Sequence, residues 1–484
     1  MRCYDTQTLR RKGRALPTPF QLALNTAGES RELICTAILR NLPGKRLVCC
    51  GTWNRQQPVV AKIFLDPSGA ERHYQRELQG INSLKAAQIP TPALLFQGTL
   101  ADGLAPLLLF QKMEGFETLS ERLATMISTA DRLETMRPVV TSIARLHAAG
   151  LRQRDIHPGN FLLSANDVMI IDGDDIESPL NGPLPQAESM SNLALFFAQF
   201  YPDFDKTVRP LLDDYCNCRD WSSDSVMYEA IKQEIQRWRD WRQKKYLQKI
   251  KRSSSAIIVK KDWHRFMACD RGWYSPSKQQ LLNDPDTYIK TGTILKDGNS
   301  ATVSKVSIDS QPLVIKRYNI KNLQHALRRC LRPSRAMVSW RNAHHLCFLG
   351  IDTPQPLAVI EERWGGLRKR AYFIMTYLPG KTIDQVLRKK VNDGKSLGGY
   401  LDQLEALLKR LAAAQISHGD FKATNFLIST GRLCLLDLDG MQAHRSSSGF
   451  KLAFRKDLLR LQQNWHDLPQ VIRQLSERLQ SLVL

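Results

Sequence analysis

Short apolar or alternating segments begin the first half of the chain, and segments with helical spacing follow them. Leu47–Gly51 and Val59–Phe64 have the pattern of β-strands, whereas Ala70–Gln88 repeats its apolar residues with the period of a helix. A further strand is predicted over Leu104–Met113 and a long helix over Leu133–Ala149. This order predicts a small β-rich part followed by a helical part.

The second half of the chain repeats this order of elements. Strands are predicted over Ser300–Ile308 and Leu313–Tyr318, and a helix over Ser334–Leu349. Another strand, Arg370–Leu378, precedes helices that continue to Ala414. At 484 residues the chain is long enough for two domains of ordinary size. The pattern therefore predicts an α+β protein of two tandem domains, each with a β-rich lobe and a helical lobe.

A polar motif follows the predicted helices in both halves. It is an Asp-x4-Asn sequence, and an acid at the end of an apolar run comes 12 residues after the asparagine. The members are Asp155, Asn160 and Asp172 in the first half, and Asp420, Asn425 and Asp437 in the second. Each member of the second set lies 265 positions after its counterpart, and a repeat of this length predicts two domains.

The motif has the spacing with which a kinase-type site holds a catalytic base and two metal ligands. We expect the aspartate of each Asp-x4-Asn sequence to orient an acceptor hydroxyl and take its proton. We expect the asparagine and the following acid to bind Mg²⁺, since amide and carboxylate oxygens suit this ion. Two tandem bilobal protein-kinase-like domains are thus the predicted fold.

Lysines at strand ends are the candidates for contacts with nucleotide phosphates. Lys62 ends the run Val59–Lys62 and precedes a predicted helix that carries Glu77, the best candidate for a carboxylate that holds the lysine. Glu71 is the second candidate. Neither half has a full glycine-rich phosphate loop or a P-loop sequence.

The corresponding lysine of the second half, Lys316, has no such helix carboxylate. The sequence between Lys316 and Asp352 contains no Asp or Glu, so Lys316 either pairs with a carboxylate from elsewhere or stays unpaired. Lys422, two residues after Asp420, is predicted to neutralise part of the transferred phosphate.

A basic, aromatic stretch separates the two halves. Segment 228–266 is rich in Lys and Arg, with Trp238, Trp241 and Trp263 among them, and the formal net charge of the chain is +22. We predict a first domain over 30–250, a basic and aromatic linker over 251–284 and a second domain over 285–484. The stretch suits an interfacial helix at an anionic membrane, and equally a solvated helix whose tryptophans pack on the first domain.

With these residues in place, each half resembles the atypical kinases of the lipopolysaccharide kinase (Kdo/WaaP) family. The resemblance rests, beyond the Asp-x4-Asn motifs and the acids that follow them, on Arg40–Arg46, Arg76–Leu78, Ile89–Pro92, Ser339–Asn342 and Gly350–Pro354. It implies ATP- and Mg²⁺-dependent phosphorylation of a heptose or Kdo hydroxyl in the lipopolysaccharide inner core. The implied place is the cytoplasmic face of a Gram-negative inner membrane, in peripheral contact with its anionic surface.

Two departures from the family pattern weaken the case for equal activity in the two units and leave open that one of them is inactive. Gln153 stands where the loop histidine is usual, and the second half lacks the helix carboxylate. The Lys62 and Glu77 pair favours the first unit, whereas His418 and Lys422 favour the second.

Two other functions remain open, namely an atypical protein Ser/Thr kinase and a pseudokinase scaffold in envelope assembly. Neither half has the Ala-Pro-Glu sequence of an ordinary protein kinase after the metal acid. No nucleic-acid recognition motif accompanies the basic charge, so nucleic acid is not an expected partner. No apolar run approaches the roughly 20 residues of a membrane span, and no secretory signal is expected. The sequence gives no indication of oligomeric state.

Overall fold

The structure is a computed structural model that describes residues 1–25, 31–54, 56–126, 128–178, 182–319, 332–364 and 367–480. The chain divides into two compact units, Met1–Asp240 and Trp241–Leu484. Both units contain strands and helices, so the protein is of the mixed α/β type.

The first unit begins with strands and continues mainly with helices. Its strands are β1 (Phe20–Asn25), β2 (Arg31–Leu42), β3 (Arg46–Trp53), β4 (Gln57–Phe64), β5 (Leu94–Leu100), β6 (Pro106–Gln111), β7 (Glu117–Thr118), β8 (Arg152–Gln153), β9 (Phe161–Leu163), β10 (Val168–Ile170) and β11 (Ile176–Glu177). Its helices are α1 (Thr6–Lys12), α2 (Ala70–Ala86), α3 (Leu119–Thr125), α4 (Thr129–Ala148), α5 (Gln186–Phe197), α6 (Val208–Asn217) and α7 (Ser225–Lys249), the last of which runs past the division.

Strands β1 to β6 form a closed antiparallel barrel in the order β1-β2-β3-β4-β6-β5. Because side chains alternate along a strand, β4 buries Val59, Ala61 and Ile63 on one face and places Lys62 on the other. Lys62 pairs with Val48 of β3 on one side and with β6 on the other. Lys62 therefore lies on a central strand, and hydrogen bonds to the strands on both sides fix the position of that strand.

The helical part of the first unit has an apolar core made mainly by α4, α5 and α6. Val139, Val140 and Ile143 of α4 are fully buried there, together with Phe196 of α5 and Leu211 of α6. The small β9–β10 hairpin also belongs to this part, with Ile170 paired to Phe161. It joins the predicted catalytic loop to the acid that follows β10.

The second unit repeats the progression from strands to helices. Its strands are β12 (Ile257–Lys261), β13 (Arg265–Asp270), β14 (Thr293–Gly298), β15 (Ala301–Ile308), β16 (Gln311–Tyr318), β17 (Pro356–Trp364), β18 (Leu367–Thr376), β19 (Lys381–Thr382), β20 (Ile416–Ser417), β21 (Phe426–Ser429), β22 (Arg432–Leu435) and β23 (Gln442–Ala443). Its helices, numbered onward, are α8 (Pro276–Asn283), α9 (Pro285–Thr291), α10 (Arg335–Phe348), α11 (Ile383–Asn392), α12 (Gly398–Ala413), α13 (Ser447–Gln463) and α14 (Pro469–Leu479).

The main sheet of this unit has seven strands in the order β12-β13-β17-β18-β16-β15-β14. Its first two strands come from segment 251–284, for which the sequence analysis predicts a linker. β13 buries Phe266, Met267, Ala268 and Cys269 between β12 and β17. The charged residues around this short apolar run conceal its strand pattern. In the first unit, likewise, β1 of the barrel lies before residue 30, the predicted start of the first domain.

Candidate functional site

In the first unit the side chains of Lys62, Glu77 and Asp172 form one ion-paired cluster. Lys62 Nζ lies 2.6 Å from Glu77 Oε1 and 3.3 Å from Asp172 Oδ1. Burial by itself would lower the pKa of Lys62, but the two carboxylates outweigh burial, and the pKa is raised. Burial would raise the pKa of Asp172, yet Lys62 and Arg46 lower it to about 2. Lys62 and Asp172 are thus both charged at neutral pH.

Glu77 also fixes the turn that carries Asp172. It is fully buried, and its carboxylate accepts hydrogen bonds from Gly173 N at 3.0 Å and Asp174 N at 3.1 Å. The backbone of helix α2 packs directly against the backbone of this turn, because a Cβ on Gly80 would lie 2.0 Å from Gly173 O. Asp172 itself has φ 74°, in the left-handed region. One helix residue therefore sets the positions of both the lysine and the acid.

Asp174 lies beside this cluster and contacts three basic side chains. His73 Nδ1 lies 2.9 Å from its carboxylate, Arg76 Nε 3.3 Å and Arg46 Nη1 3.5 Å. These contacts join α2, β3 and the Asp172 turn. Asp174 is therefore placed as a structural clamp between these elements.

The predicted catalytic loop of the first unit is tied to the strand end that precedes Asp172. Asn160 Nδ2 donates to Asp155 O at 3.1 Å, and Ile171 N donates to Asn160 O at 2.9 Å. Gln153 Nε2 donates to Ile171 O at 2.8 Å. The Asp155 side chain is exposed, and no ion pair holds it among the described residues. Hydrogen bonds thus hold the backbone of the loop in place, while the Asp155 side chain is open to solvent.

The loop of the second unit has the same internal bonds. Asn425 Nδ2 donates to Asp420 O at 2.9 Å, and Leu436 N donates to Asn425 O at 2.8 Å. His418 Nε2 lies 2.9 Å from Leu436 O. His418 and Gln153 are 265 positions apart and hold the carbonyls of corresponding residues, so the glutamine substitutes for the histidine in this bond.

The side chain of Asp420 differs from that of Asp155 in its ionic partners. Its carboxylate lies 2.8 Å from Arg460 Nη2 and 3.3 Å from Lys422 Nζ. Arg460 comes from α13, 40 positions away in the sequence, and no motif in the sequence indicates it. Two cations therefore pair with this carboxylate, one at each of its oxygens.

Lys316 of the second unit pairs with carboxylates of the turn that follows β22. Its Nζ is paired with Asp437 and lies 3.1 Å from Asp439 Oδ2. Burial would lower the pKa of Lys316, but its electrostatic contacts with Tyr318, Asp439 and Asp437 raise it. Arg335 of α10 also reaches Asp439, at 2.7 Å. Of the two outcomes left open for Lys316, the structure shows pairing with carboxylates from elsewhere.

Asn342 of α10 corresponds to Gly80 of α2, because the ends of the two helices are 262 positions apart: Ile89 N donates to Leu84 O, and Ile351 N donates to Leu346 O. Asn342 Nδ2 donates to Leu438 O at 2.8 Å and to Met441 O at 2.9 Å, so it bridges α10 to the turn after Asp437 as an uncharged donor. The position of Glu77 is taken by Ser339, which has no charge. The 262-position offset between Ile89–Pro92 and Ile351–Pro354 was the signal that could have identified these residues.

The side chains of each site supply only part of a ligand set for Mg²⁺. Among the residues that the structure describes, no group of three or more His, Cys, Asp or Glu side chains is placed to hold a metal. Each site offers one acid, Asp172 or Asp437, and one amide, Asn160 or Asn425, on a loop bonded to that acid's strand. This set fits Mg²⁺, which keeps several waters and binds substrate phosphates through few protein ligands.

Comparison with known protein families adds a match to the family described as lipopolysaccharide kinase (Kdo/WaaP), over residues 62–178 and 297–480. These residues are more than half of the chain. The chain belongs to the lipopolysaccharide kinase (Kdo/WaaP) family. The two matched segments, one in each unit, are consistent with a two-part arrangement and include both Asp-x4-Asn motifs.

Membership confirms the resemblance drawn from the sequence and supports kinase activity of the lipopolysaccharide type. No curated protein matches the chain. Within the described ranges, no helix combines the length and apolar character needed to cross a bilayer.

Proposed function

We propose that the protein transfers a phosphoryl group from ATP, with Mg²⁺, to a heptose or Kdo hydroxyl of the lipopolysaccharide inner core. The observation that supports this most directly is the Lys62, Glu77 and Asp172 cluster beside the braced Asp155 loop. Each unit is a protein-kinase-like domain with a β-rich lobe and a helical lobe. The reaction takes place at the cytoplasmic face of a Gram-negative inner membrane.

In the first unit each side chain has a separate task. Lys62, held by Glu77, binds and orients phosphate oxygens of the nucleotide, and its ammonium offsets their charge. Asp155 orients the acceptor hydroxyl and takes its proton as the sugar oxygen bonds to the γ-phosphorus and the bond to the ADP oxygen breaks. Asn160 and Asp172 would hold Mg²⁺, which would supply positive charge to the phosphate oxygens when bound.

The second unit has the same residue types in a different state of pairing. Lys316 and Lys422 are its nucleotide-binding candidates, Asp420 its catalytic candidate, and Asn425 and Asp437 its metal ligands. Lys316 is engaged by two acids, and Asp420 by Lys422 and Arg460. We infer that the first unit carries most of the transfer and that the second contributes nucleotide or substrate binding.

Two single variants and their combination test this assignment. Asp155→Ala should remove most of the core phosphate measured by mass spectrometry of lipopolysaccharide from complemented cells, and Asp420→Ala should remove little. Circular dichroism of each purified variant checks that the fold is retained. Unchanged core phosphate in the double variant would contradict the catalytic role of both loops.

The same proteins distinguish the other functions. Phosphate incorporation into a protein acceptor, with none into lipopolysaccharide, would indicate an atypical protein kinase. ATP hydrolysis and transfer that stay at background with every acceptor would indicate a scaffold.

A further inference from the structure

Two neighbouring antiparallel strand pairs of the second unit expose large apolar side chains at one edge of its sheet. One pair is β12–β13 and the other is β17–β18, and β13 pairs with β17 through Arg265 and Glu362. The last bond between them runs from Arg363 N to His264 O at 2.6 Å. Trp263 and Trp364 each lie one residue beyond this bond, so the two tryptophans are neighbours at this edge.

These side chains are unusually exposed for their size. Trp263 is 66% exposed, Trp364 61% and Leu367, opposite Trp364 in the hairpin, 38%. A single exposed apolar residue is normal, but three at adjacent strand ends form a patch that indicates a binding surface.

Cations surround the patch, and the nearby acids are already engaged. Lys261 and Lys369 are exposed, and no acid pairs with either among the described residues. Asp262 accepts hydrogen bonds from the backbone of its own turn, from His264 N at 2.7 Å and Arg265 N at 2.8 Å. The net character of the surface is therefore apolar and positive.

Two other acids lie close to these strand ends. Glu362 pairs with Arg370, and Glu361 is buried and is used inside the sheet. Its carboxylate pairs with Arg363 and lies 3.6 Å from Arg368 Nε, and it accepts a hydrogen bond from Ser334 Oγ. It offers no exposed negative charge beside Lys369. We refer to Lys261, Trp263, Trp364, Leu367 and Lys369 together as the hairpin surface.

The corresponding hairpin of the first unit lacks this character. The turn between β5 and β6 contains Asp102 and Leu104 and no Lys or Arg. Asp102 is bound by Thr6, whose backbone N and hydroxyl both donate to it at 2.8 Å. The repeat that gives the two units similar sites has thus produced a basic, tryptophan-bearing turn in one unit only.

We propose that the hairpin surface docks the protein on an anionic lipid bilayer. Tryptophan rings partition to the level of the lipid headgroups, where the ring is shielded from water and the indole N–H stays hydrated. Lysines next to them are attracted by anionic lipids. The contact goes beyond the proposed function, because vesicle binding can be measured without any phosphate transfer.

Binding of the full chain to sedimented vesicles tests the proposal. Wild-type protein should bind phosphatidylcholine vesicles that contain phosphatidylglycerol much more tightly than vesicles of phosphatidylcholine alone. Each of Trp263→Ser and Trp364→Ser should weaken binding by about tenfold, from the apolar area lost. Each of Lys261→Gln and Lys369→Gln should weaken it by about fivefold, and added salt should reduce this difference.

Leu104→Ser, in the corresponding turn of the first unit, is the matched control and should leave vesicle binding unchanged. Leu104 is 50% exposed, so the change removes an exposed apolar residue of similar accessibility. Equal vesicle binding by wild type and the double tryptophan variant would overturn the proposal. So would light scattering that shows a dimer lost in that variant while vesicle binding persists, since a second copy would then be the occupant.

Discussion

The two units hold the same lysine in different ways. In the first, Lys62 lies between a helix carboxylate, Glu77, and the strand-end acid Asp172. In the second, Lys316 lies against two acids of the strand end, Asp437 and Asp439. The charge balance of the lysine is preserved while its anchor moves from the helix to the turn. The shared order of strands and helices therefore does not by itself determine which carboxylates hold the lysine.

The contact between helix and turn shows why the anchor moves. Glu77 accepts hydrogen bonds from two backbone N–H groups of the turn, whereas Asn342 donates to two backbone carbonyls. Gly80 and Gly173, which permit the close approach in the first unit, correspond to Asn342 and Leu438 in the second, where the Asn342 side chain bonds to Leu438 O. The helix side chain therefore accepts hydrogen bonds from the turn in the first unit and donates them in the second.

The largest effect is expected from removing each lysine. Lys62→Met should lower phosphate transfer by about 10²–10³, the usual loss when one well-placed electrostatic donor is removed. Lys316→Met should lower it several-fold at most and should weaken nucleotide binding to the second unit. Steady-state kinetics with ATP and lipopolysaccharide acceptor measure the first effect and fluorescent nucleotide titration the second. Equal losses in the two variants would show that the units work together.

Breaking the glycine contact should be the next largest effect. A Cβ at position 80 would lie 2.0 Å from Gly173 O, so Gly80→Ala should destabilise the first unit by about 3 kcal/mol, as overpacking does. It should also lower activity, since α2 carries Glu77. Chemical denaturation measures the change.

Gly399→Ala on α12 is the control for this change, because its added Cβ meets nothing within 4 Å. It should be neutral or stabilise the helix by about 0.5–1 kcal/mol. A stable, active Gly80→Ala protein would mean that α2 can shift without cost.

A carboxylate placed at position 342 of the second unit should not recreate the contact that Glu77 makes with the turn in the first unit. Asn342→Glu would direct a buried charge at the carbonyls of Leu438 and Met441, and we expect a loss of about 2–3 kcal/mol in unfolding free energy. Asn392→Glu, on an exposed position of α11, should change stability by less than about 0.5 kcal/mol. If Asn342→Glu were as stable as wild type, the turn of the second unit would have to rearrange to that of the first.

The smallest expected effect concerns acid stability. The pKa of Asp172 is about 2 in the folded chain and 3.8 ordinarily, so its ionised form stabilises the fold above the ordinary value. This contribution, on the order of 2 kcal/mol, is lost as the pH falls from about 5 towards 2. Asp172→Asn should flatten that part of the stability curve, whereas Asp167→Asn in an exposed turn should not. A wild-type curve with the same slope as Asp172→Asn would contradict the pairing with Lys62.

Much of the site follows from sequence, because its members are local or repeated. The Asp-x4-Asn loops, the acids 12 residues later and the strand lysines all recur in one order, and Glu77 lies on the helix directly after Lys62. The partners of Lys316 and Asp420 do not follow, since Asp439 and Arg460 come from elements remote in the chain. Strands β12 and β13 are concealed because lysines and arginines surround a short apolar run.

The sequence by itself determined the recurrence of the Asp-x4-Asn motif, the order of strands and helices in each unit and the residue types at each motif, because these are set by period, spacing and local hydrogen bonding. Only the tertiary structure decided which charges meet. Each strand lysine pairs with the carboxylates that packing brings within about 3 Å of it, because Coulomb attraction is strongest at short range and in surroundings of low dielectric constant. The packing of one helix on one turn thus decided that Lys62 meets Glu77 and that Lys316 meets Asp439.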